Sequence, residues 1–388
     1  MPPPKRILPV IVISQFCCAS LWFAGNGVMN DLVTTFHLPS AALAHLTSAV
    51  QFGFITGTFT FALLTIADRF SPSKVFFVCA ITGALVNLGV LWEQNNLASL
   101  FILRFLVGFF LAGIYPIGMK IAADYYEKGL GRSLSFLVGA LVIATGFPHL
   151  LKAFTTSLPW RSVLMTTSCL AVLGGLLMFL LVPNGPHRKP GQQLNLSVIF
   201  TVFKNVKLRS AAFGYFGHMW ELYAFWAFVP VILTTYTALH PGITFNIPVF
   251  SFLIIGIGGI SCFIGGYLSQ SFGEKRIASI ALFFSGLCCV ISPLMFFIPS
   301  GIVFILFLLF WGMMITADSP LFSTLVAKNA LAETKGTSLT IVNCIGFSIT
   351  IVSIQLLNLL ITSMDARYIY TVLAIGPALG LIALYRKK

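Results

Sequence analysis

The sequence predicts an all-α polytopic membrane protein whose twelve transmembrane helices form two pseudo-symmetric six-helix bundles. Three observations predict it. Only 9% of the 388 residues are charged while 58% are apolar, with a mean hydropathy of +0.96. A soluble domain needs a charged surface, so a chain this poor in charge keeps much of its surface in lipid. Apolar runs of roughly 20 residues, the length that crosses the hydrocarbon, recur twelve times, and a polar connection over residues 184–210 parts them six and six.

Taken in order, the chain opens with a short basic lead, Met1 to Arg6, into a long apolar stretch. No small-residue cleavage site follows a short apolar core, so this stretch reads as a retained helix and not a signal peptide. The first six spans are expected at about Ile7–Asn30, Leu43–Ile66, Val75–Trp92, Ser99–Ala122, Ser133–Phe154 and Ser162–Val182. The second six fall at about Ala211–Thr235, Val249–Phe272, Ile277–Ile298, Ile302–Val326, Thr337–Thr362 and Tyr368–Tyr385. A spanning chain must satisfy its backbone internally, as helices or as a closed barrel. Continuous apolar runs without period-two alternation exclude the barrel. Residues 1–183 and 211–388 are thus the two bundles. The connection begins NGPHRKPGQQ and continues LNLSVIFTVFKNVKL, which reads as an amphipathic helix on the cytoplasmic surface.

The net charge of +13 invites a nucleic-acid reading, but position decides against it. Of the 23 Lys and Arg residues, 19 lie on one set of connections and span ends, three (Lys152, Arg161, Arg367) on the other, and Arg104 alone lies within a span. By the positive-inside rule both termini and the 184–210 connection are cytoplasmic, as expected of a multi-pass protein of a bacterial inner membrane. The eight cysteines all fall in apolar segments, with no CxxC pair and no His/Cys cluster at zinc spacing. They read as small buried hydrophobes, and neither a metal nor another cofactor is expected.

The two halves echo each other. The turn after span two, Ala67 to Lys74, resembles the turn after span eight, Ser269 to Arg276, displaced by 202 positions. Gly131-Arg132-Ser133 resembles Gly336-Thr337-Ser338, displaced by 205. Two echoes in the same order, at nearly equal displacement, support a duplicated six-helix unit.

On these residues the chain resembles the major facilitator superfamily, over nearly its whole length. That family's cytoplasmic signature, G-x-L-a-D-R-x-G-R-K, is matched by Asp68, Arg69 and Lys74, with Leu64 and Ser71 in place of the glycines. The second copy keeps Gly266, Leu268, Gly273, Lys275 and Arg276, with Gln270 where the acid stands. The fourth-helix signature R-x-x-q-G is matched by Arg104 and Gly108, with Val107 at the polar position, and Gly139, Gly146 and Pro148 echo part of the antiporter signature. The resemblance implies two bundles about a central cavity that opens alternately to each side. It also implies a cytoplasmic gate at Asp68, Arg69, Lys74, Gln270 and Arg276, weaker in the second half, and a role for Arg104 in substrate binding or proton coupling.

Ionisable groups inside a span are expensive, so each is a functional candidate. Arg104 lies too deep in span four to snorkel easily, and Gly108 and Tyr115 share its face at helical spacing. Helix-end carbonyls offer it an alternative, purely structural role. Span seven carries Tyr215, His218 and Glu221, three apart and so on one face. A carboxyl such as Glu221 near mid-span could couple transport to a proton gradient by gaining and losing a proton. His-x-x-Glu also suits a metal, though no further ligands are apparent. Asp318 is the competing carrier, followed by Ser319-Pro320, which should break span ten as Pro116 should break span four. Lys120 is a candidate for an anion, or the i,i+4 partner of Asp124. Trp22, Asn26 and Asn30 at spacing four, with Gln51 in span two, form a polar set that could hold a ligand or glue helices together.

These features lead to the expectation of a secondary active transporter for a small polar or anionic solute, working by alternating access, proton-coupled and monomeric. A proton-driven exporter of amphipathic, drug-like compounds is the alternative within transport. A non-transporting sensor or a membrane enzyme is more distant, since no G-x-S-x-G, HExxH or P-loop occurs and no catalytic constellation is seen.

Overall fold

The computed structural model describes residues 4, 6–126, 130–154, 159–188, 202–331 and 335–386, the side chains at 130 and 132 excepted. All regular structure among these residues is helical, as lipid demands of a backbone that finds no water to bond. Ten helices are long and apolar enough to cross a membrane; the shorter apolar helices Ile7–Ala19 and Ile369–Tyr385 supply the first and twelfth spans. The chain divides by its packing into two units, Met1–Leu196 and Ser197–Lys388.

Within each unit the same neighbours meet. In the first, span two packs on span four, span six on spans three and one, span five on span one, and span three on span four. In the second, span eight packs on span ten, span twelve on spans nine and seven, span eleven on span seven, and span nine on span ten. Each contact of one unit has its counterpart six spans later, which is the signature of duplication that the two sequence echoes only hinted at.

Glycines set the closest of these contacts, as small residues do where helices associate without a hydrophobic drive. A Cβ added at Gly108 would stand 2.0 Å from the Val50 carbonyl oxygen, and one at Gly312 would stand 2.1 Å from that of Ile254. The displacement from Gly108 to Gly312 equals that from Val50 to Ile254, so the same atom-level fit recurs in both units.

Spans four and ten break where Pro was expected to break them. Span four runs as Leu97–Leu111 and Tyr115–Tyr125, with Pro116 in the first turn of its second half. Span ten runs as Gly301–Ala317 and Ser319–Asn329, hinged at Asp318 with Pro320 behind it. A proline lacks the N–H that the helix interior would use and is tolerated in a first turn.

Two expected boundaries need correction. Span one was expected to run unbroken to Asn30; instead it ends at Ala19, resumes as Ala24–Gly27 and turns again into Met29–Phe36. No proline marks this break, which is held by a side chain from another span. Span seven begins at Val206, inside the stretch read as linker, because the Asn205 side chain caps it by accepting from the backbone of Lys207 (3.0 Å) and Leu208 (3.2 Å). The rest of the amphipathic helix expected in the connection lies mainly outside the described residues.

Candidate functional site

Arg104 is the centre of the first unit. Its side chain is 2% exposed. One guanidinium nitrogen donates to Asn87 Oδ1 at 3.2 Å, and the other donates to the carbonyl of Leu21 at 3.1 Å and to that of Trp22. Leu21 and Trp22 lie in the break of span one, where regular helical pairing lapses and the backbone bond to the Leu21 carbonyl, from Ala24, is long at 3.4 Å. The break and the arginine therefore explain each other. Asn87, fully buried in span three, completes the mount: its amide donates to Ser168 Oγ (3.0 Å) and the Leu164 carbonyl (3.3 Å) on span six. All these acceptors are neutral, and among the described residues no carboxylate lies within ion-pair distance of Arg104.

The polar set around it is only partly assembled. Asn26 donates to Thr47 Oγ1 on span two at 2.8 Å. Gln51, one turn further along the same face as Thr47, is fully buried with neither amide atom bonded. Trp22 packs against Phe54, ring centroids 4.8 Å apart and the rings tilted by 45°. Asn30, by contrast, is exposed, because the break carries it off the stripe it was expected to share with Trp22 and Asn26. The face shared by Arg104, Gly108 and Tyr115 is likewise undone: Gly108 abuts span two, and Tyr115 stands beyond the break of span four, where helical spacing from residue 104 no longer holds.

In the second unit the buried charges lie along span seven. His218 places Nδ1 2.8 Å from Asp318 Oδ1 and Nε2 2.9 Å from Ser319 Oγ, both at the break of span ten. Tyr215 packs beside it, ring centroids 6.2 Å apart. Glu221 turns the other way, to span nine: Ser285 Oγ donates to Oε1 at 2.6 Å and Cys289 Sγ to Oε2 at 3.4 Å. Both acids are fully buried. Asp318 has a basic partner; among the described residues Glu221 has none. No group of three metal-ligating side chains occurs among the described residues, and the imidazole of His-x-x-Glu is committed to Asp318.

At the polar ends of the spans, Lys120 Nζ meets Asp68 Oδ1 at 2.7 Å and not Asp124 on its own helix. Arg69 turns back to donate to Thr65 Oγ1 at 3.1 Å. Lys74, Gln270 and Arg276 are exposed.

A sequence profile described as Major Facilitator Superfamily matches residues 11–354. The chain belongs to the major facilitator superfamily. That family is one of membrane transporters and not of enzymes. Over 243 residues it is 24% identical to a bicyclomycin resistance protein homolog of Haemophilus influenzae, covering 59% of this chain and 58% of that one. Over 203 residues it is 24% identical to the MFS transporter prlL of a fungal species, covering 47% and 39%. The matched stretch thus spans about half the length of these curated relatives. Among solved structures, the proton:xylose symporter XylE matches with a TM-score of 0.79 at 13% identity, over 98% of this chain and 94% of that one. The nucleoside transporter NupG matches with a TM-score of 0.73 at 14% identity, over 98% and 99%. The human organic anion transporter MFSD10 gives 0.70 at 16%, over 99% and 100%. At such identities these likenesses establish the fold alone.

With the superfamily in hand, the degenerate second signature reads differently. Gln270 does replace the acid, and the second gate was expected to be weak for that reason. The acid nearby is Glu274, whose Oε1 accepts from Lys328 near the end of span ten. This pair mirrors Asp68–Lys120 of the first unit. Its signal in the sequence was an acid and a lysine displaced from Asp68 and Lys120 by 206 and 208 positions, near the displacement of the echoes but off it, and a motif read letter by letter looked only at position 270. Asn87, Ser285, Cys289 and Ser319 were also missed. Each is a neutral polar residue in an apolar span, indistinguishable in sequence from packing material until its partner is known.

Proposed function

We propose that this superfamily member is a proton-coupled secondary transporter of a small anionic or polar solute, working by alternating access as a monomer in a bacterial inner membrane. The observation that carries the reading is the uncompensated charge of Arg104. A guanidinium buried among neutral acceptors is costly unless an anion can share it, and its flat fork suits a carboxylate or phosphate. Lys120 is withdrawn from the solute by Asp68, so Arg104 is the one cation assigned to it. Asn26, Gln51, Trp22 and Tyr115 are the candidate neutral contacts of the solute in this unit, and Tyr215 and His218 in the other. Glu221 is assigned the proton, because Asp318 already shares its charge with His218. The excess of Lys and Arg on one side supports the reading that both termini are cytoplasmic.

The resistance-protein relative favours a second reading, export of amphipathic compounds, and one experiment separates the two. Ligands that bind only the folded state raise its melting temperature by mass action. Purified full-length protein is heated with small carboxylates, phosphate esters, neutral sugars and amphipathic cations in turn. Stabilisation by one class of small anion, absent in Arg104→Ala measured against its own unliganded baseline, supports the proposal. Stabilisation by amphipathic cations alone overturns it in favour of export.

A further inference from the structure

Resting on the reading of Glu221 as the proton carrier, we infer that Ser285 and Cys289 of span nine form a positioning pair that holds this carboxyl through its change of charge. The two side chains are four residues apart and so share a face of their helix. Each addresses a different oxygen of Glu221, Ser285 at 2.6 Å and Cys289 at 3.4 Å. A buried carboxylate without a cation must draw its stabilisation from such donors, and these two are the donors to its oxygens among the described residues.

The two donors do different work. Ser285 Oγ also lies 3.0 Å from the carbonyl of Leu282, one turn back on its own helix. While Glu221 is ionised, the single hydroxyl proton of Ser285 points to Oε1. When a proton from water arrives on the carboxyl, the Glu221 O–H donates to Ser285 Oγ and the serine hydrogen swings to the Leu282 carbonyl. One bond is reversed and another made, and no polar atom is stranded in either state. A thiol is a weak donor and a poorer acceptor, so Cys289 serves chiefly the ionised form. Serine tolerates both protonation states; cysteine selects between them.

Few other groups compete for the field at this site. Asp318 faces Glu221 from the break of span ten, with His218 beside it. Cys288 is the neighbouring thiol on span nine. Spans eight, eleven and twelve, which also pack on span seven, carry Cys262, Tyr267, Cys344 and Tyr370 as ionisable groups, with Lys335 and Tyr385 at the helix ends.

Infrared titration of the purified full-length chain, with the proton itself as the probe, tests this without knowledge of the solute. The carboxyl band lost in Glu221→Gln identifies Glu221, and the S–H band lost in Cys289→Ala identifies the thiol. The wild-type S–H stretch should move to higher frequency as the Glu221 band appears on acidification. Cys289→Ala should shift the midpoint of that band upward by roughly half to one pH unit, the scale of a weak donor to a charged acceptor. Cys289→Ser, which keeps a donor in place, should bring it back. Ser285→Ala should shift it too; if that protein does not fold, the two Cys289 variants decide. A titrating Glu221 whose midpoint ignores both substitutions, with a wild-type S–H band that ignores acidification, overturns the positioning pair and leaves the proton carrier standing. A Glu221 band that never titrates overturns both.

Discussion

A guanidinium in the middle of a membrane span must find acceptors or leave the membrane, and Arg104 finds three, none of them charged. Legibility in sequence stops at this point. Arg104 itself was plain, because any ionisable residue in an apolar span stands out. Its partners were not, because two are backbone carbonyls and the third is Asn87, one amide among several. The mount predicts that Asn87→Ala weakens the protein by about 1–3 kcal/mol, the cost of leaving buried polar groups unsatisfied, and weakens any anion-dependent thermal shift with it. Arg104→Lys should fold yet fail to restore that shift, since a lysine cannot bridge three acceptors as a fork does. A lysine variant that binds the solute as well as the parent would show that the fork is irrelevant. The two buried acids invite a second comparison. Asp318→Asn takes from His218 the carboxylate it contacts and should lower the melting temperature by the equivalent of about 1.5–3 kcal/mol, the scale of a hydrogen bond to a charged group. Glu221→Gln breaks no ion pair and should cost less. Equal losses would mean that Glu221 has a charged partner after all.

Among elements, the regular helices were readable from hydropathy to within a few residues, since length and apolarity are local properties. The breaks divide by cause. Those of spans four and ten were visible because Pro116 and Pro320 carry their own backbone constraint. That of span one was not, because Arg104, eighty residues further on, is what holds it. Close packing between helices is equally non-local, and it yields a paired prediction. Gly108→Ala and Gly312→Ala each drive a methyl against a backbone carbonyl that cannot swing aside. Each should destabilise by about 1–3 kcal/mol or more, as overpacking does. Gly336→Ala, with no atom within 4 Å of the added carbon, is the control and should change little. Thermal unfolding of the three variants would contradict the repeated fit if Gly108→Ala fell and Gly312→Ala did not.

For the whole molecule, the ion pairs Asp68–Lys120 and Glu274–Lys328 are proposed to bear on conformational change more than on stability. Lys120 and Asp68 retain 27% and 22% of their side-chain exposure, and exposed pairs contribute at most about 1 kcal/mol. Asp68→Asn and Glu274→Gln should therefore leave melting temperatures nearly unchanged while altering the rate of solute exchange. A large loss of stability would assign these pairs to folding instead. Orientation is tested by labelling: cysteines placed at Gln94 and at Gln270, both exposed, should react with a membrane-impermeant reagent from opposite sides, position 270 from the cytoplasm. The central claim, that Glu221 couples the solute to protons, meets its most direct test in proteoliposomes holding a pH-sensitive dye, driven by a gradient of the solute that the thermal screen identifies. The account predicts that wild-type protein moves protons as the solute runs downhill. Glu221→Gln should exchange labelled solute at a comparable rate while the dye reports no proton movement. Undiminished proton movement in Glu221→Gln would contradict it.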